Sequence, residues 1–295
     1  AEERERSQQA IGKLLIVGSI PALGFLAGVS LLIFLISQRL MRGKDALLAR
    51  HGTDRWTTPW TGDTVWQVFV LGFFVIGQVF LPSLLSGLFQ VLRISPTNFN
   101  EQTRAFSVLA SYILLSSGGL FVLYLSLKPY FPLPEGWFQF RWWGSWLGWG
   151  FGGYFAAIPL VIAISLINQR LWQGQGGSNP ILPIALEGKD KIALAVFFIT
   201  ASIAAPLFEE FMFRGFLLPS LTRYMPVTAA IVLSSFLFAL AHLNLSEVLP
   251  LTVLGMVLGV VYTRSRNLLS SMLLHGLWNS GTLISLIVLG SGSGS

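Results

Sequence analysis

Three short stretches place groups capable of proton transfer inside apolar sequence. PLFEEFMFRGFL, residues 206–217, holds Glu209, Glu210 and Arg214. SSFLFALAHLN holds Phe238 and His242 four residues apart, and LLHGLWNS holds His275 and Asn279 at the same spacing. On a helix Glu210 and Arg214 share a face, where pairing offsets the cost of burying either charge alone. Glu209 points about 100° away from Glu210 and about 140° away from Arg214. Arg214 therefore pairs readily with one carboxylate and leaves the neighbour over. An ionisable residue left unpaired at membrane depth marks a functional site by default.

These residue types suit one chemistry well. A carboxylate in an apolar cavity has its charged form disfavoured, which fits it to exchange protons near neutrality. Glu209 can take a proton from water and return it to a leaving amine, while His242 shares and steers that water. His275 and Asn279 offer N–H donors from one helical face, and donors fixed in a dry site stabilise a developing oxyanion. A Glu209/His242/His275 zinc site is the competing reading, since these are also metal ligands. Against it, the zincin helix with two His bracketing a Glu is absent and Asn279 is a poor zinc ligand. A serine mechanism is weaker still, because no Ser has a base at an evident spacing. A further alternative is structural, with the Glu210–Arg214 pair locking helices and the histidines bonding between them.

The elements that must hold these groups are membrane helices. The chain has 295 residues, 53% of them hydrophobic and 11% charged, where a soluble domain carries about 25% charged residues. Continuous apolar runs exclude a soluble protein and do not alternate as barrel strands do. Eight runs are expected to span, at residues 14–36, 65–92, 105–127, 146–167, 192–218, 227–245, 249–262 and 268–289, the seventh being the shortest. The fold class expected is thus an all-α integral membrane protein of about eight helices around a polar cavity. The N-terminal tract 1–13 reads as a polar tail with no cleavable signal. Residues 14–191 read as N-terminal membrane helices, 192–289 as the catalytic core and 290–295 as a linker remnant.

Charge and composition bound the partners. The net charge of +6 comes from Lys and Arg in the loops, with no basic stripe interleaved by aromatics, so nucleic acid is not an expected partner. No cysteine is present, which excludes disulfides and thiolate chemistry. Lys and Arg favour the side of loops 1–2, 3–4, 5–6 and 7–8 by 11 to 8, or 10 to 8 without Arg214, pointing that side to the cytoplasm. The Trp-rich tract 137–150 reads as an interfacial belt or as a gate for a lipid-like substrate. Gly148/Gly152 and Gly255/Gly259 have the spacing for close helix approach. The prolines at 21, 82, 159 and 206 lie inside segments and free carbonyls that need other partners.

Glu209-Glu210-x-x-x-Arg214, Phe238-x-x-x-His242 and His275-x-x-x-Asn279, in order on separate segments, resemble the CPBP family. That family takes in the type II CAAX prenyl endopeptidases and the bacterial Abi proteins linked to bacteriocin processing and self-immunity. The resemblance covers roughly residues 192–289. It implies a helical fold with a cavity open to the bilayer and a metal-independent glutamate intramembrane peptidase without cofactor. Glu209 and His242 would activate water, His275 and Asn279 would form the oxyanion hole, and Glu210, Arg214 and Phe238 would support the site. It further implies a membrane-embedded or lipidated peptide substrate, a bacterial inner or plastid membrane, and, for some members, a role as an immunity factor or as an assembly partner of membrane proteins.

Overall fold

In lipid a chain must satisfy its backbone groups internally, so long apolar runs become helices. The computed structural model describes residues 2–173 and 190–290, and among these every regular element is helical. Eight helices follow in order: α1 (Glu2–Arg42), α2 (Gly62–Val91), α3 (Glu101–Leu127), α4 (Trp146–Trp172), α5 (Lys191–Leu221), α6 (Val227–Ala241), α7 (Val248–Ser265) and α8 (Leu268–Gly290). Seven described helices are long and apolar enough to cross a membrane, which makes this an all-α multi-pass integral membrane protein. The short helix is not the seventh, as the sequence suggests. It is α6, which stops after 15 residues with His242 as its C-cap. Its last two backbone N–H bonds lead into Leu243 at φ 54°, so the chain turns away and never completes the segment expected to run to residue 245. Much of the Gly/Pro stretch at 173–183 lies outside the described residues, as do residues 291–295.

The loops sort cleanly to two ends. Loops 1–2, 3–4, 5–6 and 7–8 interlock at one end through tryptophan. Trp56 Nε1 donates to the Gly136 carbonyl at 3.0 Å, Trp137 Nε1 to that of Thr57 at 2.9 Å, and Trp60 Nε1 to Ser220 Oγ at 2.9 Å. Arg266 bonds the Asp54 carbonyl and lays its guanidinium 3.5 Å over the Trp56 ring, a cation–π contact. At the other end Gln102 Nε2 donates to Asp190 at 2.7 Å and Asn168 Nδ2 to the Ser246 carbonyl at 2.6 Å. The Trp-rich tract divides accordingly: Trp137 is buried in the interlock, whereas Trp142 and Trp143 stand exposed.

The second half of α5 is the buried centre, with Met212, Phe213, Phe216, Leu217 and Leu218 all enclosed, while Ile192, Ile199, Ile203 and Leu207 of its first half stand exposed. α7 packs against α6 through Gly255 and Gly259, where a Cβ would come within 2.8 Å of Ser235 Cβ and 3.0 Å of an Ile231 methyl. The other expected pair does not act this way. Gly148 has nothing within 4 Å, and α4 instead meets α8 through Gly150 and Gly153, where added Cβ atoms would lie 2.6 Å and 2.4 Å from Leu273 and Leu274 methyls. The packing face lies a little further round α4 than the four-residue spacing implies.

Candidate active site

α5 departs from regular winding on both sides of the glutamates. Wide π-helical turns run over Thr200–Ala204 and Phe211–Leu217, with a short α-helical piece, Ala205–Glu210, between them. Such turns are uncommon and concentrate at functional sites. Pro206 explains part of this one. It has no N–H to return to the carbonyl one wide turn back, at Ala201. Asn279 Nδ2 from α8 supplies the missing donor, at 2.7 Å from Ala201 O. Gly276 permits the approach, since a Cβ there would lie 2.8 Å from the Ser202 carbonyl oxygen.

The two glutamates take different partners, as the helical angle requires. Glu210 is fully buried, and its Oε1 accepts from Arg214 Nη1 at 2.7 Å and from His275 Nδ1 at 2.9 Å. Arg214, 1% exposed, also donates to the Gly255 carbonyl at 3.1 Å and stands 4.4 Å over the Phe238 ring. One carboxylate oxygen therefore ties α5 to α8, while its arginine ties α5 to α6 and α7. Phe238 sits at the centre with its ring edge-on to both imidazoles, at centroid distances of 4.7 Å to His242 and 5.6 Å to His275.

Glu209 has no such anchor on its Oε2. That atom is buried, accepts no hydrogen bond, and lies 3.9 Å from Nε2 of both His242 and His275. At 3.9 Å neither ring bonds it directly. The ring tautomers follow from the partners. His242 Nδ1 faces the Phe238 carbonyl at 2.8 Å and must carry the proton, so a neutral ring turns its Nε2 lone pair toward Glu209. His275 Nδ1 likewise gives its proton to Glu210. A carboxylate oxygen and two ring nitrogens thus converge on a space that a donor such as water fits.

The structure brings Glu209, Glu210, Arg214, Phe238, His242 and His275 into one connected group. Asn279 joins it on α8 one turn beyond His275, with its amide engaged by the Ala201 carbonyl. Among the described residues no three His, Asp or Glu side chains are grouped so as to hold a metal ion. Two participants have no signal in the sequence: the Gly255 carbonyl, and Tyr112 of α3, whose hydroxyl lies 3.5 Å from the Ala205 carbonyl.

The chain is a multi-pass helical membrane protein with these charged and imidazole groups at its centre. Residues 191–281 match the family model described as type II CAAX prenyl endopeptidase Rce1-like. The match spans all seven motif residues. Among curated proteins, the membrane-embedded CAAX protease MroQ of Staphylococcus aureus is 25% identical over 142 residues, 46% of this chain and 56% of that protein. The UPF0177 protein YxdF of Lactococcus lactis is 34% identical over 88 residues, 29% of this chain and 48% of that protein. The matches thus span about half the length of these relatives. No solved structure matches the chain.

Proposed function

We propose that this protein is a metal-independent glutamate-type intramembrane endopeptidase. The observation that carries this reading is the Glu209 Oε2 atom, buried, without a hydrogen-bond partner, and equidistant from two imidazole nitrogens. A water placed there donates one hydrogen to Glu209 and the other to His242 Nε2, leaving its oxygen lone pairs free. As that oxygen attacks the scissile carbonyl carbon, Glu209 takes a proton and the carbonyl oxygen becomes an oxyanion. His275 stabilises it when Nε2 carries a proton, the ring's positive charge being balanced by Glu210 through Nδ1. Asn279 adds the second amide hydrogen that its bond to Ala201 leaves over. Glu209 then passes its proton to the leaving nitrogen as the C–N bond breaks.

The substrate of this reading is a membrane-embedded peptide or a lipidated C-terminus. An apolar cavity of about 530 Å³ between α2 and α6, lined by Phe69, Phe73, Phe213, Leu237 and Ala241, borders the His242 end of α6 and suits a lipid or other apolar chain. The test is hydrolysis of an internally quenched peptide carrying a farnesylated cysteine, in proteoliposomes, alongside peptidomics of host membranes. Glu209→Gln should abolish cleavage while the protein stays folded. A folded Glu209→Gln protein that complements a deletion and changes no membrane fragment would instead make the cluster a helix lock in a scaffold or immunity protein.

A further inference from the structure

Water activation by Glu209 uses one of its two carboxylate oxygens, and the role of Tyr112 rests on that reading of the site. A general base must also be held still, and nothing on α5 to α8 does this for Glu209 as Arg214 does for Glu210. The candidate comes from α3, outside the segment shared with the family. Tyr112 points its ring edge-on at Phe208, with centroids 6.3 Å apart at 86°, which fixes the ring beside the residue preceding Glu209. Its hydroxyl lies 3.5 Å from the Ala205 carbonyl, one helical turn before Glu209 on the same face, and its polar neighbours are the Glu209 carboxyl and the Ser116 hydroxyl. Tyr112, Ser116 and Phe208 line an open cavity of about 330 Å³ together with Phe140 and Phe211.

A half-buried phenol beside a carboxylate can serve it as a hydrogen-bond donor. Its O–H is a donor, and the carboxylate is the acceptor best placed to use it. We infer that Tyr112 is a positioning residue, whose hydroxyl holds the Glu209 carboxyl so that its Oε2 stays aimed at the gap between His242 and His275. Tyr112 touches neither water nor scissile bond. It acts through Glu209.

Tyr112→Phe tests this, because it removes the hydroxyl and keeps the ring against Phe208. The first readout needs no turnover: the infrared band of the Glu209 carboxyl, recognised by its loss in Glu209→Gln, should move in Tyr112→Phe. The second is kinetic. Cleavage of the farnesylated quenched peptide should lose about tenfold in kcat, the scale of one hydrogen bond to a charged group, with KM and the melting temperature unchanged. A Glu209 band that stays in place overturns the inference whatever the kinetics show. So does an unchanged kcat, or a kcat that falls only together with the melting temperature. If the wild-type protein does not cut the peptide, the peptidase reading fails by itself, and the carboxyl band still decides whether Tyr112 holds Glu209.

Discussion

Substituting the two adjacent glutamates should give opposite signatures. Glu210→Gln keeps the shape and removes the charge that Arg214 and His275 share through Oε1. Arg214 then remains 1% exposed with only neutral partners at contact distance: the amide oxygen at 210, the Gly255 carbonyl and the Phe238 face. Breaking one side of a buried pair costs ~3–5 kcal/mol, because the surviving charge is uncompensated. For a chain of this size that is a fall in melting temperature on the order of 10 °C. Glu209→Gln removes no direct ion pair at hydrogen-bond distance and should melt within about 2 °C of wild type. Intrinsic tryptophan fluorescence during a thermal ramp in nanodiscs reads both. The double variant Glu210→Gln/Arg214→Met, which replaces the pair with neutral groups, should recover most of the loss. Equal melting temperatures for the two single variants, or a double variant that falls further than Glu210→Gln, would refute this division of roles.

Packing and helix caps give further expectations. Gly153→Ala should destabilise, since its Cβ would lie 2.4 Å from a methyl of Leu274 and 2.6 Å from one of Val261, both buried in the core, whereas Gly148→Ala should stabilise by up to ~1 kcal/mol because it gains helix propensity in open space; chemical denaturation in micelles compares them. Asp190 caps α5, and its carboxyl is held below the usual aspartate value chiefly by the Ala193 N–H and then by Gln102. A depressed native value means the cap's contribution is complete above the ordinary aspartate range and is lost as pH falls through it. Asp190→Asn should keep the cap and flatten the melting-temperature profile below about pH 4; an unchanged acid slope would place the charge elsewhere. Hydrolysis should survive EDTA and phenanthroline, while chelator-sensitive activity restored by zinc would put a metal in place of the Glu209–His242 water.

How much of the site is legible in the sequence depends on how far apart the interacting residues lie. The Glu210–Arg214 pair and the leftover Glu209 are consequences of 3.6 residues per turn, and both are found. The carbonyl freed by Pro206 is foreseeable, but its partner Asn279 lies 78 residues away, and sequence alone points that amide at an oxyanion. His275 reads only as a donor to substrate, because nothing local reveals that its Nδ1 reaches Glu210. Tyr112 is invisible for the same reason: one tyrosine in an apolar helix has no periodicity to distinguish it. The glycine pattern misleads on α4 because spacing alone does not say which face meets a neighbour, and Gly150 and Gly153 face α8 while Gly148 does not.

The short α6 joins these points. A spanning α6 would carry residue 242 on toward the far headgroups, away from Glu209. Ending at Ala241, it places His242 at the cap, where the Phe238 carbonyl is no longer committed within the helix and can accept from Nδ1. That one bond fixes the ring's tautomer and turns Nε2 to Glu209. The unpaired last turn of a helix leaves carbonyls without partners, and here one of them orients an imidazole. The site therefore depends on α6 ending where it does as much as on the histidine itself. Extending α6 with the pair Leu243→Ala and Asn244→Ala, which raises helix propensity at the turn and removes the Asn244 side chain that accepts from Ser246 N, should lower kcat by reorienting His242 although no motif residue has changed. Turnover equal to wild type in a variant shown by hydrogen exchange to have the longer helix would break the link between helix length and site geometry.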